Sequence, residues 1–423
     1  MDYYDYLSRE FGVSPKLISL AKTAEARLEP QFRLADEIAG VNQLKVLRAM
    51  REHRLSDAHF ARATGYGYND AGREVLEAVY ASVFKAEDAL VRPQMISGTH
   101  ALTVALFGNL RHGDELLSPA GKPYDTMDAV IGIRPAKGSL AEHGVTYRQV
   151  DFLPDGAPDY GGIARAVTPR TKMALIQRSK GYAWRRSLSV DEIGRIISAI
   201  KAVNPGTVCA VDNCYGEFVE ESEPAEAGAD LVIGSLIKNP GGGLAQSGGY
   251  IAGKREYVEN AAVRLTSPGL GKEVGPTLGA APRMLQGLFL APQTVGGCVK
   301  GAVFLSALMR ELGFDALPAP DERRADIVQA VRMKTPENVL AFCRGVQRAA
   351  PVDSFANPEP SAMPGYDCPV VMAAGAFVQG ASIELSADAP MRKPYTVYFQ
   401  GGLTWRHAQA GVIIAVNEVI SGR

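Results

Sequence analysis

Thr207-Val208-Cys209-Ala210-Val211-Asp212 and Asp230-Leu231-Val232-Ile233-Gly234-Ser235-Leu236-Ile237-Lys238 are the two stretches that decide the fold. Each is a short apolar run, rich in β-branched residues and ended by polar ones, as expected of a strand buried on both faces. The pattern recurs at 173–177 and 249–252. Between the runs at 173–177 and 207–211, Ile193, Ile196, Ile197, Ile200 and Val203 fall at helical spacing, and Ser189 with Glu192 supplies a capping box at the helix start. Strand, helix, strand in this order predicts an α/β fold built on a largely parallel sheet covered by helices. Ligands of such sheets sit beyond the carboxyl ends of the strands. Asp212 closes one run and Lys238 follows the other, so parallel neighbours would bring both side chains to one ligand.

Outward from this centre, Ile38, Val41, Leu44, Leu47 and Met50 predict an amphipathic helix over 36–53, packed against the main body or another subunit. Val75, Leu76, Val79, Tyr80, Val83 and Phe84 predict a second helix, fed by the turn-rich Thr64-Gly65-Tyr66-Gly67-Tyr68-Asn69-Asp70. Residues 266–279 hold too much glycine and proline for regular structure and read either as a connector or as a loop closing over a site. A helix at 301–312 leads into a proline-richer part with strand-like runs at 378–385 and 395–399. These signals divide the chain into an N-terminal helical extension (1–65), an α/β domain (66–290) and a smaller α+β domain (291–423).

With 423 residues, 46% of them hydrophobic, the chain can bury a large core. A formal net charge of −1 gives no global pull toward nucleic acid or an anionic membrane, which leaves a small molecule as the expected partner. The five cysteines form no C-x-x-C pair and read as reduced thiols of a cytoplasmic protein. Met1-Asp2-Tyr3-Tyr4-Asp5-Tyr6 lacks the basic start and apolar stretch of a secretory signal. Apolar runs such as 370–374 are far shorter than the ~20 residues that cross a bilayer, so no membrane span is expected. Gly65-Tyr66-Gly67 is not a dinucleotide loop, because Asp70 stands where the third glycine belongs. Gly271-Lys272 continues with Glu273 and Gly121-Lys122 with Pro123, so neither makes a P-loop. The six histidines make no H-E-x-x-H, no G-x-S-x-G occurs, and no metal site is expected.

A lysine amine and a carboxylate at neighbouring strand ends are the pairing that pyridoxal phosphate (PLP) requires. The amine forms a Schiff base, and the carboxylate keeps the pyridine nitrogen protonated so that the ring accepts electrons. Its phosphate needs backbone N–H groups at a helix start, together with hydroxyls. Ser97-Gly98-Thr99-His100-Ala101-Leu102 opens an apolar helix at 101–110, and Ser235 offers a further hydroxyl. Each piece alone has a plain reading: a strand-end cap for Asp212, a solvated charge for Lys238 before its glycine-rich loop, an N-cap for Ser97. Their order along the chain sets the combination apart.

The residues resemble fold-type I PLP enzymes of cysteine and methionine metabolism, and among them the methionine gamma-lyase-like, or aluminium resistance protein, family. Four stretches carry the likeness in the first part of the chain. They are Thr64 to Asp70, Val91-Arg92-Pro93-Gln94 with Ser97-Gly98-Thr99-His100-Ala101, Val211-Asp212-Asn213-Cys214-Tyr215-Gly216-Glu217-Phe218, and Gly234-Ser235-Leu236-Ile237-Lys238-Asn239-Pro240-Gly241-Gly242. Val397-Tyr398-Phe399-Gln400-Gly401-Gly402 extends it to the C-terminal part. The resemblance implies a seven-stranded sheet, Lys238 as the Schiff-base lysine, Asp212 as partner of the pyridine nitrogen, and Ser97, Gly98, Thr99 and Ser235 as phosphate ligands. Tyr124 resembles the tyrosine stacked on the cofactor ring. Tyr66 matches a tyrosine that reaches across from a neighbouring subunit of a homotetramer, although Tyr68 stands where that motif carries arginine, and Ile237 replaces a hydroxyl residue before the lysine. For the substrate carboxylate, which an arginine fork grips with two hydrogen bonds, the candidates are Arg392, Arg178 and Arg406. The activity implied is carbon–sulfur lysis of cysteine, cystathionine or a methionine-like amino acid by β- or γ-elimination. The alternatives are an aminotransferase or other amino-acid lyase, or a PLP-binding protein with little turnover.

Overall fold

The computed structural model describes residues 2–363 and 366–421; Met1 of the N-terminal stretch read above, and the last two residues of the C-terminal domain, lie outside them. Seven strands form the central sheet: β1 (Asp88–Arg92), β2 (Glu115–Ser118), β3 (Thr146–Gln149), β4 (Thr171–Gln177), β5 (Val208–Asp212), β6 (Leu231–Ser235) and β7 (Gly249–Gly253). Their order is β1-β7-β6-β5-β4-β2-β3. The run from β6 to β3 is parallel, and β7 is antiparallel to both β6 and β1. The largely parallel sheet is therefore present, and β5 and β6 are buried along their whole length. Alternate side chains serve two cores. Val208, Ala210, Leu231 and Ile233 meet the helices Gly98–Asn109 and Arg255–Leu265; Cys209, Val211 and Val232 meet Ala71–Val83 and Val190–Val203. Ser189 and Glu192 form the expected capping box.

The second sheet comprises β8 (Asp315–Leu317), β9 (Gln329–Arg332), β10 (Val370–Ala373), β11 (Ser386–Pro390) and β12 (Thr396–Gln400), antiparallel throughout in the order β10-β11-β12-β9-β8. Helices Pro336–Arg348 and Trp405–Ser421 cover one face, where Val331, Ala387, Ala389, Val397 and Phe399 are buried. The other face meets the large domain through Val328, Ala330 and Tyr398 against Tyr182, Trp184 and Tyr215.

Several expectations are corrected. The run at 378–385 is a loop, because the Glu384 carboxylate accepts the backbone N–H groups of Phe377 (2.9 Å) and Val378 (3.0 Å) and folds the segment on itself. The helix expected at 301–312 is the end of a 31-residue helix, Ala281–Glu311, with Pro292 inside it, so the boundary drawn at 290/291 falls within one element. That helix is long and apolar enough to cross a membrane, but 78% of its most apolar window is buried inside the fold, which makes it a core helix. The N-terminal extension is shared out: Tyr4, Leu7 and Leu17 join the small-domain core, whereas Val46 and Ala49 join the large one. The helix expected at 36–53 spans Glu29–Glu52 and buries its small side, Ala35, Ala39, Val46 and Ala49. Gly296 allows that close approach, since a Cβ there would lie 3.1 Å from the Ala39 Cβ. Val41, Leu44 and Leu47 of the predicted stripe consequently face outward. Residues 266–279 connect rather than cover: Arg92 holds the carbonyls of Lys272 and Val274, Asp70 holds Thr277, and none of the segment lines the cavity beside Lys238.

Candidate active site

The carboxyl ends of β4, β5 and β6 open onto a cavity of about 200 Å³ lined by Gln177, Asp212, Ser235 and Lys238. Parallel register sets Gln177 beside Asp212, and Lys238 lies just past the end of β6, its Nζ 4.1 Å from the centre of the Tyr215 ring. The Asp212 Oδ1 accepts the Cys214 N–H at 3.2 Å. Burial pushes the Asp212 carboxyl up, and the Lys238 charge and Cys214 pull it part of the way back. Burial pulls the Lys238 amine down, but Cys214, Tyr215, Asp212 and Glu217 outweigh it and the net shift is upward. A buried carboxylate and a half-buried amine thus share one small chamber.

Opposite them stands the N-terminus of the helix Gly98–Asn109, whose first-turn amides have no intrahelical acceptor. Ser97 caps it, its Oγ accepting the His100 N–H at 3.1 Å, and Thr99 Oγ1 shares a 2.9 Å hydrogen bond with Thr126. The decisive atom is Ser235 Oγ, buried and without a hydrogen-bond partner among the described residues. A Cβ on Gly98 would lie 3.3 Å from Cys214 Sγ and 3.4 Å from Ser235 Cβ, so glycine keeps the space between helix end and serine open. An orphaned hydroxyl facing a helix N-terminus is a cradle for phosphate. Gln177 Oε1 is orphaned too, while its Nε2 donates to the Ser179 carbonyl at 2.9 Å. Sequence reading missed Gln177, because a glutamine ending a strand has no motif to announce it.

Tyr124 lines the same cavity, its hydroxyl 2.5 Å from that of Tyr366, and burial raises its pKa well above the ordinary phenol value. Tyr66 is not brought to this cavity. It is 72% exposed on a loop pinned from beneath, where the Gly275 N–H donates to the Tyr66 carbonyl at 2.9 Å. Of the three arginines, Arg178 lies outside the cavity and is engaged elsewhere, with Asn213 at 2.7 Å, Glu220 at 2.6 Å and Glu223 at 3.7 Å. Arg406 binds Glu25 and Gln409, none of which lines the cavity. Arg392 pairs with the exposed Asp367 at 2.9 Å and, like the other two, does not line the cavity.

A sequence profile of the family described as methionine gamma-lyase matches residues 17–420. The chain belongs to the methionine gamma-lyase family. Uncharacterized protein YnbB of Bacillus subtilis (strain 168) is 49% identical over 406 residues, 95% of this chain and 96% of that protein. A solved structure of a carbon-sulfur lyase involved in aluminium resistance from Clostridium novyi NT superposes with a TM-score of 0.95 at 46% identity, covering 99% of each chain. The pyridoxal-5'-phosphate dependent protein YhfS from Escherichia coli, at 18% identity and a TM-score of 0.62 over 92% of this chain and 97% of its own, shares the fold. The cofactor of this methionine gamma-lyase family member is pyridoxal 5'-phosphate, and the chamber fits it. Lys238 offers the amine, Asp212 a carboxylate for the ring nitrogen, and Ser235 with the Gly98–Asn109 helix end a seat for the phosphate.

Proposed function

We propose that this protein is a PLP-dependent carbon–sulfur lyase that breaks the β or γ bond to sulfur in a cysteine-, cystathionine- or methionine-like amino acid. The observation that carries the reading is the convergence of Lys238, Asp212 and the unpartnered Ser235 hydroxyl on one chamber, in a chain similar over nearly its full length to a carbon-sulfur lyase. Bound PLP supplies an electron sink for the pair left when the substrate loses its α-proton. Lys238 Nζ would take that proton as general base. Asp212 would hold a proton on the cofactor's ring nitrogen. Tyr124, whose raised pKa keeps its hydroxyl protonated, would donate to the departing sulfur, and hydrolysis of the released enamine by one water would give a thiol, a 2-oxo acid and ammonia. Arg392, two residues past the end of β11 in the small sheet, receives the substrate carboxylate. Tyr66, presented outward on its pinned loop, serves the chamber of a second copy. The exposed Leu44 and its neighbours Val41 and Leu47 supply an apolar face for such an assembly.

A substrate panel tests the reading. Purified protein is incubated with cysteine, cystathionine, methionine and homocysteine while 2-oxo acid, ammonia and sulfide are assayed. Lysis of at least one, abolished by Lys238→Ala, is expected. Amino-group transfer to an added 2-oxo acid without loss of sulfur would make it an aminotransferase, and silence on every compound would make it a binding protein. Borohydride reduction followed by peptide mass spectrometry should place the cofactor mass on Lys238; an unmodified Lys238 peptide overturns the cofactor assignment.

A further inference from the structure

One carboxylate on the inner face of the small sheet has no role in the chemistry above. Along β11, Ala387 and Ala389 lie under the covering helices, so strand alternation turns Asp388 to the opposite face, toward the large domain. It stands across from Tyr398 on β12 and Met372 on β10. The wall it faces is aromatic. The Tyr182 ring lies 5.1 Å from Tyr398, 5.5 Å from Tyr366 and 5.8 Å from Tyr124, centre to centre. Asp388 Oδ2 accepts a hydrogen bond from Gln400 Nε2 at 3.2 Å, and the positive charge it feels is that of Lys238. Its own charge is felt in turn by Tyr124 and Tyr215, both of which line the cofactor chamber.

Burial pushes the Asp388 carboxyl up to about 6, with the Gln400 hydrogen bond and the Lys238 charge pulling it back, so an approaching cation favours its ionised form. An anion held among rings is costly unless a cation meets it, and the amine of Lys238 is engaged by the cofactor. A carboxylate flanked by aromatic faces is the chemistry that receives an ammonium, through a charge-assisted hydrogen bond on one side and ring quadrupoles on the others. We infer that Asp388, with the rings of Tyr182 and Tyr398, receives a second ammonium group carried on the far arm of the substrate. The substrate class is then an amino acid whose sulfur bears a cationic arm, rather than a plain alkyl group. This inference rests on the carbon–sulfur lyase reading.

Two amino acids of equal length that contain no sulfur separate the two ideas. L-lysine and L-2-aminoheptanoate differ only in ending in an ammonium or a methyl group. Their binding to the PLP-loaded protein is measured by calorimetry, beside turnover of the matching thioethers, S-(2-aminoethyl)-L-cysteine and S-propyl-L-cysteine. Lysine should bind at least about tenfold more tightly, the scale of one charge-assisted hydrogen bond. The preference should survive Asp388→Glu and collapse toward unity in Asp388→Asn. Equal or tighter binding of aminoheptanoate, or an unchanged preference in Asp388→Asn, overturns the inference; the wild-type ratio decides even if a variant does not fold. Lysine preference without cleavage of either thioether would sink the lyase reading and keep the cation site. Equal cleavage of both with no binding preference would do the reverse.

Discussion

Ser235→Ala should have opposite effects on the empty and the loaded protein. Among the described residues the Ser235 hydroxyl, buried at the end of β6, has no partner. A buried, unsatisfied hydroxyl costs about 1–3 kcal/mol, so alanine, which removes the polar atom and keeps the Cβ, should leave the stability of the stripped protein unchanged or raise it by up to that amount. In the loaded protein the proposed phosphate seat would have the same hydroxyl donate to an anionic phosphate. Its loss removes a hydrogen bond to a charged group, about 1.5–3 kcal/mol, which is about tenfold to about 150-fold in the dissociation constant for PLP. Both numbers come from urea denaturation of the stripped protein and fluorescence titration with PLP. A crossed result, stable protein with weak cofactor binding, is expected. Wild-type PLP affinity in Ser235→Ala would refute the phosphate assignment, and a large loss of stability in the stripped variant would show that the hydroxyl has a structural partner.

Asp212→Asn should retain PLP yet lose about 100-fold or more in kcat, the scale of removing one preorganised electrostatic partner; full activity would take Asp212 out of its role. Gly67→Ala should destabilise the protein by at least about 1–2 kcal/mol in chemical denaturation, because its φ of +68° is strained for any residue with a Cβ. The added carbon would also lie 2.7 Å from the Pro276 backbone, so wild-type stability would contradict the pinned-loop geometry that presents Tyr66. Glu217 is buried with its carboxyl pushed up to about 8, by burial first and the Glu223 charge next, above the ordinary 4.5. A group raised in this way stabilises the fold fully below its unfolded value and loses that contribution as pH rises through its folded one. Wild-type stability should therefore fall by a few kcal/mol between about pH 5 and about pH 9, and Glu217→Gln, which still accepts from Tyr250, should flatten that fall. Parallel curves would exclude Glu217 as the titrating group.

The features legible in the sequence are those that local pattern encodes. Strands β5 and β6 are continuous β-branched runs, and Val190–Val203 announces itself by its capping box and isoleucine period. Asp212 and Lys238 then follow from parallel topology alone. Other features depend on packing that no local pattern carries. The helix Ala281–Glu311 is buried almost all round, so it has no polar face to set a period, and Pro292 and the Gly296-Gly297 pair interrupt what pattern remains. The run at 378–385 has the composition of a strand, but one side chain, Glu384, binds its backbone N–H groups and makes it a loop. Arg178 looked available in sequence because Glu220 and Glu223, which pair with it, lie far along the chain. Gln177 and Asp388 are single polar residues on strands, given meaning only by the register that sets Gln177 beside Asp212 and Asp388 across from Tyr398.

That register has a visible anchor. Lys180, just past the end of β4, is fully buried and pairs with Asp326 at 3.0 Å while donating to the Val328 carbonyl at 2.9 Å. Ser179 and Ser187 donate to the same carboxylate. Burial pulls the Lys180 amine down, whereas Asp326, fed by Lys180 and two hydroxyls, is held below the usual carboxylate range despite its burial. A buried pair of this kind adds little net stability over well-packed apolar residues, since desolvation offsets the attraction. What it adds is direction, because each donor must meet its acceptor in one geometry. Gln177 and Ser179 line the chamber on one side of this pair, and Val328 and Ala330 lead into the face that carries Tyr398 and Asp388 on the other. The pair therefore fixes how the strand ends that hold the cofactor sit against the sheet that reads the substrate's far arm.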